Sequence, residues 1–362
     1  MAALTVEAVI VRASGDVPRV EEVRVDDPGP GEVRLRLLAT GVCHSDLHAL
    51  TGGMGDDFPY LLGHEGCGVV ESVGEGVDPS RIGQRVIVCW RAPCGHCRFC
   101  SRGQLELCAS VLSPGPRIHT DDGQVLTPVL RAGTFITHTV VASAQAVEVG
   151  EDIPPEVACL IGCGIATGVG AAVRTAGVTH GDRVAVIGCG AVGLSVVQGA
   201  RLAGATSIVA VDLNRAKLEW ARRMGATALV EGGAEDVVRR VRELSGGFGV
   251  DHCFDVVGVP ATLRTAIECC DDAGMATLVG VPPRTAEMML PLSLLWNARR
   301  GVRACWYGNC FGPRDFALLA GWYRNGSLHL DEMVSRRIGL HDVGTAFEAM
   351  KAGGELRSVI LF

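Results

Sequence analysis

Between Val184 and Val279 short apolar runs alternate with segments of helical spacing, and this alternation constrains the fold more than any other feature of the chain. Val184–Gly188, Ser207–Asp212, Val250–Val257 and Met275–Val279 read as strands. Ala191–Ala203, Arg215–Met224, Ala234–Leu244 and Thr262–Cys270 between them carry good helix formers at helical spacing. Repeated strand–helix pairs of this length build a parallel, doubly wound α/β sheet. The texture before about Pro154 differs. Val33, Leu35 and Leu37 alternate with Glu32, Arg34 and Arg36 between Pro28-Gly29-Pro30-Gly31 and Gly41, as in a half-buried strand. Gly68–Val73, Arg85–Val88 and Phe135–Val141 follow between Gly- and Pro-containing turns, which fits an antiparallel β body. Past about Trp306, two amphipathic segments, Arg314–Asn325 and Asp342–Lys351, lead to a final strand Arg357–Leu361, expected to pack back on the first domain. No repeat of fixed period interrupts this order.

A length of 362 residues suggests two domains, since single cores stop growing near ~250–300 residues. The formal charge of −7 is spread along the chain without basic runs, which removes electrostatic support for a nucleic acid or an anionic membrane and favours a small-molecule partner. Met1–Ile10 contains Glu7 and no basic stretch ahead of an apolar core, so it does not read as a signal peptide. Every apolar run reads as shorter than the ~18–20 residues that cross a bilayer, and the expected location is cytoplasmic. Fifteen cysteines in a chain of this kind, several at metal-like spacing, favour reduced thiols and metal over disulfides.

Cys94, Cys97, Cys100 and Cys108 form C-x2-C-x2-C-x7-C on a glycine-bearing loop. Four thiolates can close a tetrahedral zinc shell with no position left for chemistry, the mark of a structural site; an iron–sulfur ligand set is the competing reading. Gly188-Cys189-Gly190-Ala191-Val192-Gly193 matches G-x-G-x-x-G. With 48 glycines the pattern alone proves little, and context decides. A buried strand runs into Gly188, a helix starts at Gly193, and Asp212 ends the next strand 19 residues later. In this arrangement glycines admit a pyrophosphate to the helix N-terminus, and the carboxylate accepts from the adenosine ribose and repels a 2′-phosphate, favouring NAD over NADP. A tight strand–helix turn without cofactor is the alternative. Gly63-His64-Glu65-Gly66, Gly41-Val42-Cys43-His44-Ser45-Asp46-Leu47-His48 and Gly162-Cys163-Gly164 are each weak alone; Ser45, for instance, could simply cap a short helix Asp46–Leu50.

Taken together, these segments resemble the zinc-dependent alcohol dehydrogenases of the medium-chain dehydrogenase/reductase superfamily over essentially the whole chain. Phe58–Glu65, Trp90–Cys97 and Trp306-Tyr307-Gly308-Asn309-Cys310 look most like the mycothiol-dependent formaldehyde dehydrogenase branch. The resemblance implies a β-rich GroES-like catalytic domain with a structural zinc lobe over residues 1–164 and 307–362, and a Rossmann NAD-binding domain over 165–306. It implies a catalytic zinc on Cys43, His64 and Cys163, with Glu65 an outer group or transient ligand and Asp46 bonded to the second nitrogen of His64. It implies that an alcohol proton leaves through Ser45, the nicotinamide ribose hydroxyl and His48, while a hydride passes to C4 of nicotinamide. Thr167 and Val192 correspond to nicotinamide contacts and Lys217 to an adenosine-ribose contact. Arg357 and His44, where many members have arginine, correspond to pyrophosphate contacts.

The expected activity is hydride transfer between an alcohol, or its aldehyde or ketone, and NAD, with two zinc ions per chain. The alternatives are a dehydrogenase of thiol adducts such as S-hydroxymethyl or S-nitroso mycothiol and, in another class, a non-catalytic dinucleotide-binding protein. Trp90, Leu112 and Trp306 are candidate pocket residues, and the Pro-, Gly- and His-rich stretch Ser110–Leu130 a candidate cover. The resemblance also implies a homodimer or homotetramer. Nine cysteines, Cys67 among them, remain without a metal role.

Overall fold

The computed structural model describes residues 3–234 and 236–362. Met1, Ala2 and Glu235, the last within one expected helix, lie outside the described residues. The chain divides into two compact units, Met1–Cys163 with Phe311–Phe362, and Gly164–Cys310.

In the first unit, strand Glu32–Gly41 is the organiser. It pairs antiparallel with Glu65–Val73 on one side and with Arg357–Leu361 on the other, and also with His138–Ala142. Arg357–Leu361 pairs in turn with Val334–Ile338, so the end of the chain returns to this sheet as expected. A second sheet runs in the order Ile118–Thr120, Arg19–Val25, Leu4–Val11, Tyr60–Leu61, Thr127–Pro128. A core of Val9, Val11, Val42, Leu62, Phe135, Phe347 and Ile360 joins residues from both chain segments. The expected strand from Phe135 starts only at His138, because the Phe135 N–H donates to Leu62 O and its carbonyl accepts from Val9 N–H, pairing it with other partners.

In the second unit six parallel strands stand in the order Ala228–Glu231, Ser207–Asp212, Arg183–Ile187, Val250–Asp255, Cys270–Leu278, Gly301–Ala304. Numbered along the chain this is 3-2-1-4-5-6, the doubly wound dinucleotide-binding order, in which ligands bind outside the carboxyl ends where strands 1 and 4 diverge. Helices Ala191–Leu202, Arg215–Met224, Val237–Leu244 and Pro260–Cys269 alternate with the strands, and Val241 of the third and Ala266 and Ile267 of the fourth join Ile187, Val209, Val230 and Cys253 in one core. The third starts at Val237 rather than Ala234 because the Asp236 side chain caps it, accepting from Arg239 N–H.

The expectation that every apolar run is too short to cross a membrane is corrected by one helix. Pro155–Ala176 spans 22 residues and, by length and composition, is apolar enough to do so; 83 % of its most apolar stretch is buried inside the protein, as in a core helix. Its Gly, Ala, Cys and Thr residues are small, which hid its apolar character. The helix widens to π-turns at Ile161–Ile165 and Ala171–Ala176.

Candidate metal centres and dinucleotide cradle

Register brings the first cluster together. Gly41 stands opposite Glu65 in the ladder, so His64 and Cys43 leave the ends of adjacent strands side by side. Helix His44–Leu50 then begins two residues earlier than the sequence suggests. Cys43 is its N-cap and Ser45 lies in the first turn, so Ser45 does not cap it; Asp46 does, its Oδ2 accepting from Cys43 N–H at 3.1 Å. The other oxygen of this fully buried carboxylate accepts from Gly63 N–H at 2.9 Å and meets His64 Nδ1 at 3.3 Å. One side chain thus fixes the cap, the Gly63 turn and the imidazole. Cys163 arrives on the π-turn, where Gly162 allows close approach: a Cβ there would stand 2.8 Å from Val88 O.

The ligand atoms of Cys43, His64, Glu65 and Cys163 all lie within 4.8 Å of one another, and all four residues are buried. With Nδ1 held by Asp46, His64 Nε2 is buried and has no hydrogen-bond partner among the described residues. Two thiols, an imidazole with one orphaned nitrogen and a carboxylate are a donor set that fits zinc. The hydrogen bond from Cys163 and the cations Arg357 and His64 hold the Cys43 thiol well below its ordinary range despite burial. Burial opposes the charged form of His64, yet Asp46 and Cys43 hold it well above its usual value. Burial pushes the Glu65 carboxyl up to about 7. Glu65 meets Arg357 Nη2 at 3.0 Å, and a Cβ at Gly41 would stand 2.2 Å from Glu65 Oε2, so only glycine fits there.

Arg357 was expected at a pyrophosphate. In the structure its buried guanidinium donates to Val42 O at 3.2 Å and contacts Cys43 Sγ at 3.6 Å as well as Glu65. No local pattern announces this neighbour, because its strand follows Glu65 by most of the chain. Ser45 Oγ is 3.8 Å from Cys43 Sγ, and His48, half-buried, follows one turn on along the same helix. Trp90 is buried and Leu112 half-buried, the latter donating its N–H to Ala92 O; Trp306, in the second unit, is 67 % exposed.

The second cluster is the four-cysteine loop. Sγ separations are 3.5 Å for Cys97–Cys100, 3.9 Å for Cys97–Cys108 and 3.6 Å for Cys94–Cys108. A tetrahedron with bonds of ~2.3 Å has edges of about 3.8 Å, so the spacing fits a zinc shell, and all four thiols are free. Backbone N–H groups of Cys100 and Ala109 bring the Cys97 thiol down to about 5, ready to ligate as thiolate. Arg91 Nη2 donates to Glu106 O and Cys108 O and so ties the loop to its base.

In the second unit the glycines form an open cradle. Gly188 has φ +94°, a Cβ at Gly193 would stand 1.8 Å from Gly188 O, and a Cβ at Gly190 would meet nothing within 4 Å. Gly190 also caps the twelve-residue helix Ala191–Leu202 with no side chain over its N–H groups. Space and donors at a helix N-terminus fit a pyrophosphate. Asp212 closes the neighbouring strand, its Oδ2 accepting from Cys189 N–H at 2.7 Å and its Oδ1 from Asn214 N–H at 2.8 Å, so it also anchors the fingerprint turn. Lys217 lies in the first turn of the following helix; Thr167 and Val192 are half-buried, and His44, in the first unit, is exposed.

Residues 29–151 match the alcohol dehydrogenase GroES-like domain and residues 191–324 the zinc-binding dehydrogenase family. The S-(hydroxymethyl)glutathione dehydrogenase of Saccharomyces cerevisiae is 37 % identical, over 94 % of this chain and 92 % of its own. Among solved structures, an alcohol dehydrogenase zinc-binding domain protein from Burkholderia ambifaria superposes with a TM-score of 0.94 at 30 % identity, covering 100 % of both chains. Benzyl alcohol dehydrogenase from Acinetobacter calcoaceticus gives 0.92 at 25 % identity, covering 99 % of each. The chain belongs to the zinc-dependent alcohol dehydrogenases of the medium-chain dehydrogenase/reductase superfamily. It is an NAD-dependent enzyme of that kind, on the side of the family that holds the formaldehyde dehydrogenases, with a structural and a catalytic zinc site.

Because Asp46 serves three partners, Asp46→Ala is expected to loosen the first cluster more than loss of one hydrogen bond would. Outer-shell partners of metal-bound histidine are typically worth ~10–100-fold in metal affinity. Zinc release to a chromogenic chelator should speed up by a similar factor for one of the two ions, and unchanged release would remove Asp46 from this role.

Proposed function

We propose that this chain oxidises a primary or secondary alcohol, or reduces the matching aldehyde or ketone, at the cluster of Cys43, His64 and Cys163. The observation that carries this reading is the buried His64 Nε2, left without a partner beside two thiols while Asp46 holds Nδ1. A metal there supplies Lewis-acid stabilisation of an alkoxide. Two cysteinates and a neutral imidazole would balance a divalent charge, Asp46 fixes the imidazole's orientation, and Glu65, held by Arg357, stands by with an oxygen as a further donor. Ser45 Oγ takes the proton of the substrate hydroxyl, and His48, one turn along, passes it towards solvent. Gly188, Gly190 and Gly193 seat the pyrophosphate, Asp212 and Lys217 the adenosine ribose, and Thr167 and Val192 the nicotinamide, whereas Arg357 serves Glu65.

A second reading, oxidation of a thiol adduct of formaldehyde, is supported by the name of the full-length relative from yeast. NADH appearance with benzyl, long-chain and secondary alcohols, and with formaldehyde with and without mycothiol or glutathione, separates the two. Turnover of simple alcohols without thiol supports the first; formaldehyde turnover that requires thiol replaces it with the second.

The cytoplasm is the proposed location, and the proposed assembly is a homodimer or homotetramer. Support for a second copy comes from strand Gly301–Ala304, which ends its sheet with one strand neighbour among the described residues, and from Met289 and Trp296, exposed at 92 % and 83 %.

A further inference from the structure

At the far lip of the dinucleotide crevice stands a buried carboxylate that none of the roles above uses. Asp255 ends the fourth strand, paired with Ile187 of the first strand and therefore adjacent to Gly188, at the point where the two strands diverge. It is fully buried. Its Oδ1 accepts from Val257 N–H at 3.0 Å and Gly258 N–H at 3.2 Å, while Oδ2 has no hydrogen-bond partner among the described residues. Its carbonyl accepts from Val279 N–H at 2.8 Å and Gly280 N–H at 3.0 Å, and the next residue, Val256, donates to Ile187 O at 2.9 Å. Asp255 and Val256 together therefore tie the ends of strands 1, 4 and 5. The side chain also ends the strand: by taking the Val257 and Gly258 N–H groups it turns them out of the ladder, which is why the run expected to reach Val257 stops at Asp255.

The turn so held has little freedom. Gly258 has φ +84°, and a Cβ on Gly280 would stand 2.4 Å from Gly258 N and from Val257 C, so the two loops lie backbone to backbone. Across the crevice, a Cβ on Gly188 would stand 2.9 Å from Val257 Cγ2, so the turn also abuts the first glycine of the fingerprint. Val257, Val259 and Val281 remain exposed on this lip, an apolar rim facing the place where a dinucleotide binds in such a sheet. Burial raises the Asp255 carboxyl above its usual range against the pull of the Gly258 N–H, the Thr262 hydroxyl and the Val257 N–H.

We propose that Asp255 is a positioning residue for the nicotinamide dinucleotide: through Oδ1 it holds the Val256–Val259 turn at the spacing from Gly188 that the cofactor requires. The inference rests on the chain being an NAD-dependent dehydrogenase and not on the choice of substrate.

The test uses full-length zinc-loaded protein and NADH as probe, with binding read by fluorescence titration and by calorimetry. The parent is titrated first, and failure of the parent to bind NADH would overturn the cofactor assignment itself, separately from this proposal. Asp255→Ala removes the acceptor, Asp255→Val removes it while keeping volume and strand preference in case the first variant does not fold, and Asp255→Asn keeps it. The acceptor-free variants are expected to bind NADH at least tenfold more weakly and to show a raised KM for NAD. Their kcat at saturating NAD should stay within about threefold, and their zinc content at two ions per chain. Asp255→Asn is expected to restore affinity to within about threefold. Unchanged NADH affinity in a folded acceptor-free variant, a loss confined to kcat, or equal losses in the asparagine and valine variants would each overturn it.

Discussion

Cys163→Ala should lose one of its two zinc ions and at least about a thousandfold in turnover, while its melting temperature moves little. The cluster it leaves keeps His64 and Cys43 just beyond the ends of two paired strands, so the scaffold does not depend on the π-turn cysteine. A metal ion that polarises oxygen is worth several kcal/mol, and about 4 kcal/mol corresponds to a thousandfold at 1.36 kcal/mol per tenfold. Metal analysis after dialysis gives the stoichiometry, and initial rates with NAD and any alcohol the parent turns over give the activity. If the variant keeps two zinc ions and the parent rate, Cys163 is not a ligand.

Cys97→Ser should show the opposite pattern. The four-cysteine loop has no strand and only short single-turn helices, so the metal is what holds its backbone. Loss of a metal site typically costs about 3 kcal/mol or more, and at about 2–4 °C per kcal/mol for a unit of this size the melting temperature should fall by about 6–12 °C. Arg98 and Arg102 are carried by the same loop and should become early trypsin sites. At temperatures where the variant stays folded, kcat should remain within about threefold of the parent because the first cluster is separate. A variant with unchanged stability and protease resistance would mean that the loop folds without metal.

The parts of this architecture that were legible in the sequence are those written in local pattern. Strands Ser207–Asp212, Arg85–Val88 and Arg357–Leu361 and helix Arg215–Met224 fall where period and composition put them, because each element's apolar face is encoded within a few residues. The four-cysteine loop was legible for the same reason. What was hidden depends on register between distant strands. Leu4–Val11 and Arg19–Val25, which the periodicity did not single out, pair along seven residues, and only that pairing makes their charged residues acceptable in a strand. The place of Arg357 beside Glu65 follows from the ladder that sets Val359 opposite Gly41, a contact no short pattern carries. The long helix Pro155–Ala176 escaped because glycine and alanine weaken a helical signal even where packing has use for their size.

That same ladder governs the order in which the molecule can be completed. Residues 164–310 form a contiguous unit, so every strand of their sheet exists before the remainder of the chain is made. The first unit has no such independence. Its organising strand, Glu32–Gly41, waits for Arg357–Leu361, and until that segment emerges Glu65 lacks its cation and Cys43 lacks the guanidinium at its side. Synthesis proceeds at about 5–20 residues per second, so the half of the protein that begins first finishes last. For tens of seconds its thiols stand in a pocket with one wall missing, and the period when the chain is most open to the wrong metal or to oxidation is the period before its last strand docks.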